Sequence, residues 1–259
     1  MLIVVDDMFL NSAVWNVTTG IDPDGQRGRI NTTDLQMHVD WIPEFVATLN
    51  PGSDWFIEIG INGNGNYDFV GTLNNSAAWS CPNPVDVNDP ISPNVDAEWI
   101  KPLGTGVNMV PDPVLYNWTL DCLLMDPLAT FFYTPANRDL FAWVSHTFTH
   151  EDLDNSTFYD ANFQMSFNYI HAQLLEITQS TRGWANKSFI PPGITGLHNG
   201  DAIQAFWNNG IYGGVGDSTR PALVNQENIY WPLLTTIEEN GFAGYTIYPR
   251  QATRIYYNW

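Results

Sequence analysis

Basic residues are scarce in this chain. Nine Lys and Arg stand against 28 Asp and Glu in 259 residues, a formal net charge of −19. Binding nucleic acid needs a basic patch to neutralise phosphates, so no nucleic acid is expected as a partner. Cysteine is nearly absent as well: Cys81 and Cys122 are the only two, and no Cys-x-x-Cys pair exists for a thiolate zinc site. No apolar run approaches the roughly 20 residues of a membrane-spanning helix. The opening run Leu2-Ile3-Val4-Val5 meets acids too soon for a signal peptide and reads as a trimmed boundary at the edge of a strand. A Gly-x-Ser-x-Gly elbow, a P-loop and a dinucleotide fingerprint after a strand are all missing.

What is present describes a globular chain, with 44% hydrophobic and 14% charged residues. Its length suits one substantial core. The acidic surface fits a cationic or amine-bearing polymer and equally serves solubility in an acidic extracellular setting. Asn-x-Ser/Thr sequons at Asn16, Asn31, Asn74, Asn117, Asn155 and Asn186 point to a secreted glycoprotein of the extracellular space or cell wall. Cys81 and Cys122 are either two buried thiols or one disulfide, which would contribute roughly 4 kcal/mol by loop entropy.

Strand-like and helix-like segments alternate. Leu2–Asp6 reads as a strand, 34–49 as a helix capped by Thr33 or Asp34 and disturbed by Pro43, and Trp55–Ile61 as a strand ending in an Asn-Gly-Asn-Gly turn at 62–65. Residues 74–115 carry Pro82, Pro84, Pro90, Pro93, Pro102, Pro111 and Pro113, a density that leaves no regular element and marks an insertion or long loop. Phe141–Val144 is a strand. Residues 156–178 form the longest helical pattern, with Phe163, Phe167, Ile170, Leu174 and Ile177 at three- and four-residue steps. Ser188–Ile190 is a short strand, 201–208 a helix ended by Gly210, and Ile211–Val215, Asn228–Trp231, Gly244–Tyr248 and Arg254–Tyr257 are further strands. Such alternation implies parallel strands with helical crossovers, in a distorted (β/α) barrel or, alternatively, a doubly wound open sheet. Asp6-Asp7, Ser145-His146, Pro191–Gly193 and Asp217 all fall at strand ends, where a barrel places its active site.

The chemistry concentrates there. His146 and His150 stand four apart just after a strand, and one carboxylate would complete a two-nitrogen, one-oxygen metal site of hydrolytic type. If the chain stays extended, Asp6 and Asp7 point to opposite sides, so one can bind metal while the other faces substrate. Two imidazoles at this spacing also arise by accident, and an Asp-Asp pair also caps helices. His38 and His171 sit on expected helices, away from strand ends, as surface or packing residues. His198 is placed to reach a cleft. Trp79, Trp99 and Trp184 are candidate groove walls for sugar stacking, although most aromatics belong to the core.

Taken in order, these residues resemble the polysaccharide deacetylases with a NodB-homology domain, and within that group the fungal secreted enzymes acting on galactosaminogalactan. Val5-Asp6-Asp7-Met8 resembles the first motif and His146-Thr147-Phe148-Thr149-His150 matches the second. Ile190-Pro191-Pro192-Gly193 resembles the third, and Asp217 sits near the fourth. The resemblance implies a single catalytic domain over 1–259, an α/β distorted barrel of the NodB-homology type. It assigns Asp6 as base, Asp7, His146 and His150 as ligands of zinc (or another divalent ion such as cobalt), Pro192 and Gly193 as substrate-binding, and Asp217 as tuning the base; Trp184 joins the substrate-binding residues as a sugar-stacking candidate. The activity implied is metal-dependent N-deacetylation of an acetylated hexosamine polysaccharide. An inactive metal-containing sugar-binding domain, or a deacetylase of chitin or peptidoglycan, are the alternatives. Two departures stand out. Phe189 lies near the usual place of the third-motif Arg, for which Arg220 or Arg250 are substitutes. The fifth motif, Leu-x-x-His, is absent before Trp259, so either a C-terminal segment has been cut away or a group such as His198 serves as acid.

Overall fold

The computed structural model describes residues 3–13, 27–85, 95–111 and 115–251. Its strands are β1 (Ile3–Met8), β2 (Ser12–Ala13), β3 (Arg27–Gly28), β4 (Ile57–Ile61), β5 (Ala142–Ser145), β6 (Trp184–Phe189), β7 (Gly213–Val215), β8 (Leu233–Leu234) and β9 (Thr246–Tyr248). Between them lie α1 (Thr32–Val46), α2 (Asn64–Gly71), α3 (Ser76–Trp79), α4 (Leu120–Leu123), α5 (Pro127–Tyr133), α6 (Pro135–Arg138), α7 (Phe158–Leu174), α8 (Gly200–Asn208) and α9 (Ile237–Asn240).

Seven strands form one sheet in the order β1-β4-β5-β6-β7-β9-β8, parallel throughout except for the β8–β9 pair; β2 and β3 make a separate antiparallel ribbon. An order that advances along the chain through its six parallel strands, with only the antiparallel β8 added after β9, is that of a barrel wall, not of a doubly wound sheet with a reversal. The wall is strongly curled. Asp6 on the first strand in this order lies 2.6 Å from Arg250, which follows the sixth, so the chain closes across the mouth of a half-barrel.

Helices cover the outer face. Ile57, Ile59, Ile61 and Trp143 of β4 and β5 pack with Phe132, Phe141, Phe148 and Phe163 in the larger core cluster. Phe189 and Ile247 of β6 and β9 pack with Ala202, Ile203 and Phe206 of α8 in a second. α7 serves both clusters, Phe163 facing one and Ala161 and Met165 the other.

Local chemistry accounts for several differences from expectation. The cap of α1 is Asn31, not Thr33 or Asp34: its side chain accepts from the backbone N–H of Thr33 and Asp34, while Asp34 accepts from Asn31 in return. Pro43 is tolerated inside that helix, near its last turn. The Asn-Gly-Asn-Gly segment turns only at 62–63, and Asn64 already begins α2. Gly65 is required there, because a Cβ would lie 2.5 Å from the Phe9 carbonyl oxygen. Among its described residues the proline-rich stretch does hold one element, the short α3 capped by Asn75. Asn228–Trp231 is a turn and not a strand. Asn225 and Asn228 side chains accept from the N–H groups of Glu227, Asn228 and Tyr230, competing with a ladder, and pairing starts only at Leu233. The strand expected at Arg254–Tyr257 and the sequon at Asn16 lie outside the described residues.

Cys81 and Cys122 are bridged. The long segment is also pinned elsewhere: buried Lys101 pairs with Asp201 at 2.5 Å, and the Met109 and Val110 N–H groups donate to Asp160 at 2.9 and 3.1 Å.

Candidate metal centre

Register breaks between Val5 and Met8 of β1, so Asp6 and Asp7 occupy a bulge. The two carboxylates diverge by this kink instead of by strand alternation, since Asp7 has a φ of 62°. Thr147 (67°) and His150 (62°) share that left-handed conformation. For non-glycine residues it costs on the order of 1–3 kcal/mol each, and such strain collects where side chains must converge.

Convergence is what it achieves. Asp7 Oδ1 lies 3.1 Å from His146 Nε2 and 3.3 Å from His150 Nε2. All three ligand atoms fall within 4.8 Å of one another. Gly60 of β4 lies beneath them, where a Cβ would meet Ile190 Cδ1 at 3.3 Å and Asp6 Cα and His146 Cβ at 3.4 Å.

Donor chemistry fits a cation. His146 Nδ1 lies 2.8 Å from the Ile190 carbonyl oxygen, so that nitrogen carries the proton and donates. In the neutral ring Nε2 then presents a lone pair to a carboxylate oxygen, an arrangement a positive charge between them resolves. Burial, followed by the charge of His146, lowers the pKa of His150, which favours the neutral ligand form. Burial works to raise the Asp7 carboxyl, but the His146 hydrogen bond and the charges of His146, His150 and Arg250 outweigh it and hold the pKa below the usual value.

Asp6 is set differently. Arg250 grips Oδ2 at 2.6 Å, while Oδ1 is buried with no hydrogen-bond partner among the described residues. Of the two arginines considered from sequence, Arg250 is therefore the one that reaches Asp6. Arg220 is committed elsewhere, to Glu98 at 2.8 Å and to the Ile194 carbonyl at 2.8 Å. Phe189 is core.

The remaining expectations divide. Pro192 is buried and Gly193 exposed in the turn just past β6, at the same rim as the three ligands. Trp184 is not at that rim. β6 is longer than expected, so Trp184 opens it at the opposite end and packs against the larger core cluster. Asp217 does not touch Asp6; its carboxylate accepts from the N–H and hydroxyl of Thr219, both at 2.7 Å. His198 is buried, with Nδ1 2.6 Å from the Glu239 carbonyl and Nε2 2.7 Å from Glu98 Oε2, though not in line with the ring N–H. Through Nδ1 it ties the segment before α8 to α9, with the Glu98 carboxylate close to its other nitrogen. His171 is a packing residue as expected, wholly buried with Nε2 3.1 Å from Asn66 Oδ1. Trp79 is exposed on α3, and half-buried Trp99 follows Glu98.

Residues not anticipated hold the second-motif loop in place. α7 carries Asp160, Gln164, Asn168 and His171 as a buried stripe. Gln164 Oε1 accepts from the Phe148 and Thr149 N–H groups at 2.9 and 2.8 Å, and its amide donates to Glu151. Asn168 donates to the Ile61 carbonyl and to Ser145, tying β4 and β5 together. Asn62 donates to the carbonyls of His146 and Thr147. Polar residues recurring every three or four positions on one face of the helix, among its apolar residues, were the available signal.

A curled parallel sheet that gathers one carboxylate and two imidazoles at its carboxyl rim defines an α/β half-barrel of the carbohydrate deacetylase type. The chain belongs to the family described as the Agd3 deacetylase domain, which it matches over residues 2–259. It is similar to the crystal structure of Agd3, a carbohydrate deacetylase, with 43% identity and a TM-score of 0.91 over 99% of this chain and 37% of that one. The chain thus spans just over a third of that protein's length. No curated protein gives a match.

Proposed function

We propose that this domain hydrolyses the N-acetyl groups of a hexosamine polysaccharide of the galactosaminogalactan type, releasing acetate and leaving free amines, with a divalent ion, zinc for preference, held by Asp7, His146 and His150. The observation that carries this reading is the convergence of those three donor atoms within 4.8 Å, beside a carboxylate with one buried oxygen free. Family membership and the likeness to a carbohydrate deacetylase support it.

When bound, such an ion supplies a water nucleophile whose pKa falls to about 7 and a Lewis acid for the acetamide carbonyl. Asp6 takes the proton of the attacking water on Oδ1, the oxygen that Arg250 leaves free, and that proton passes to the leaving amine nitrogen as the C–N bond breaks. Arg250 keeps that carboxylate oriented. His146 is fixed in its ligand tautomer by the Ile190 carbonyl. Pro192 and Gly193 wall the groove beside the acetamide. The Cys81–Cys122 bridge and the exposed Asn31, Asn74, Asn117 and Asn186 fit a secreted glycoprotein.

Acetate release from soluble N-acetylgalactosamine oligomers tests the proposal, with N-acetylglucosamine oligomers in parallel. Release is expected from the galactosamine series, to be abolished by chelation and restored by zinc. Release that survives exhaustive chelation would overturn the metal-dependent mechanism, and binding without release would favour a sugar-binding domain.

A further inference from the structure

Between β7 and β8 the chain runs along the rim that carries the metal centre. β8 is antiparallel to β9, with Leu233 opposite Ile247, so the residues before β8 lie at the carboxyl end of β9, the end from which Arg250 reaches Asp6. Two adjacent aromatic residues occupy this position, Tyr230 at 69% and Trp231 at 55% exposure. Neither stacks on another aromatic ring among the described residues.

The turn that presents them is tightly made. Asn225 Oδ1 accepts from the Glu227 and Asn228 N–H groups at 3.0 and 3.1 Å, and its amide donates to the Pro232 carbonyl at 2.9 Å. Asn228 accepts from Tyr230 through its side chain and from Trp231 through its carbonyl, each at 2.9 Å. The base of the loop is tied to the rim twice. Ser218 donates to the Arg250 carbonyl at 3.0 Å, and Arg220 donates to Ile194 in the turn after β6 at 2.8 Å. Two large rings are therefore presented outward from a fixed backbone turn, at the rim that carries the metal centre. Other exposed tryptophans lack this placement: Trp79 stands on α3 in the proline-rich stretch.

We propose that Tyr230 and Trp231 form a stacking subsite for the hexosamine polymer, holding a ring some units away from the acetamide being cleaved; this rests on the deacetylase reading above. A flat, apolar sugar face matches an aromatic face. The Tyr hydroxyl and indole N–H add edge hydrogen bonds. Position at the catalytic rim singles out the polymer as occupant.

The test compares wild type, Trp231→Ala, Tyr230→Ala and the double variant on short and long N-acetylgalactosamine oligomers. Both side chains are exposed, so the variants are expected to fold. The double variant should raise KM for long oligomers about tenfold, with kcat and all constants for short ones unchanged. Trp231→Phe should recover most of the loss. Equal KM values for long oligomers, or equal losses on short and long, would overturn the subsite. Unchanged KM with loss of self-association in the variant would overturn it too, assigning the rings to an interface between copies. Should wild type release no acetate at all, gel retardation by the acetylated polymer decides separately: retardation lost in the double variant supports the subsite although the enzymatic reading fails, and retardation kept, or absent already in wild type, overturns it.

Discussion

On the mechanism proposed, Asp6 takes a proton while its neighbour Asp7 holds the ion, and substitution separates the two. Asp6→Asn should lower kcat by about 10²–10⁴ while zinc stoichiometry stays the same, because only the proton acceptor is lost. Arg250→Gln should lower kcat by at least about tenfold, again with metal retained, since it leaves Asp6 unanchored. Acetate release with metal analysis on each variant checks both, and loss of metal in Asp6→Asn would contradict the division. His171 gives a stability signal. Burial pushes its pKa from 6.5 down to about 3, so the folded state holds it neutral while the unfolded chain binds a proton below 6.5. Its contribution is whole above that pH and is lost as pH falls toward 3, with a slope of about 1.4 kcal/mol per pH unit. Urea unfolding across this window should show a decline that flattens in His171→Gln; parallel slopes would contradict it.

At the level of elements, the site depends on what α7 does for the loop after β5. Gln164→Ala leaves the buried N–H of Phe148 and the neighbouring N–H of Thr149 without their acceptor. Unmet groups of this kind cost about 1–3 kcal/mol each, so the variant should lose roughly 2–5 kcal/mol by denaturant unfolding and bind zinc more weakly. A loss under about 0.5 kcal/mol would mean the loop holds itself. Here the limits of the sequence are instructive. The apolar steps of α7, the strand ends at Asp6-Asp7 and His146, and the His-x-x-x-His spacing were all legible, being local patterns. The polar stripe was not, because its partners are far away in the chain, on β4, α2, β5, the proline-rich segment and the loop between β5 and α7. Trp184 was misplaced because hydrophobic pattern alone did not show that β6 begins four residues before Ser188. Asn228–Trp231 had strand-forming side chains, yet flanking asparagines turned the backbone. The short helices α4, α5 and α6 went unnoticed, lacking enough turns to show a period.

For the whole molecule, curvature is the property that makes a site. Asp6 and Arg250 are 244 positions apart in the chain and five strands apart in the sheet, and they meet only because the wall bends round. Sequence could propose Arg250 or Arg220 as the partner of Asp6, but the choice between them is made by this closure. The same bend sets Asp7 against His146 and His150 across β1, β4 and β5. Titrating metal-free protein with zinc in a calorimeter probes that convergence most directly. One ion per chain is expected, with binding lost in Asp7→Ala, His146→Ala and His150→Ala and retained in Asp6→Asn. Zinc binding that is absent in the wild type, or that persists at full strength in any of the three alanine variants, would contradict a shared metal centre.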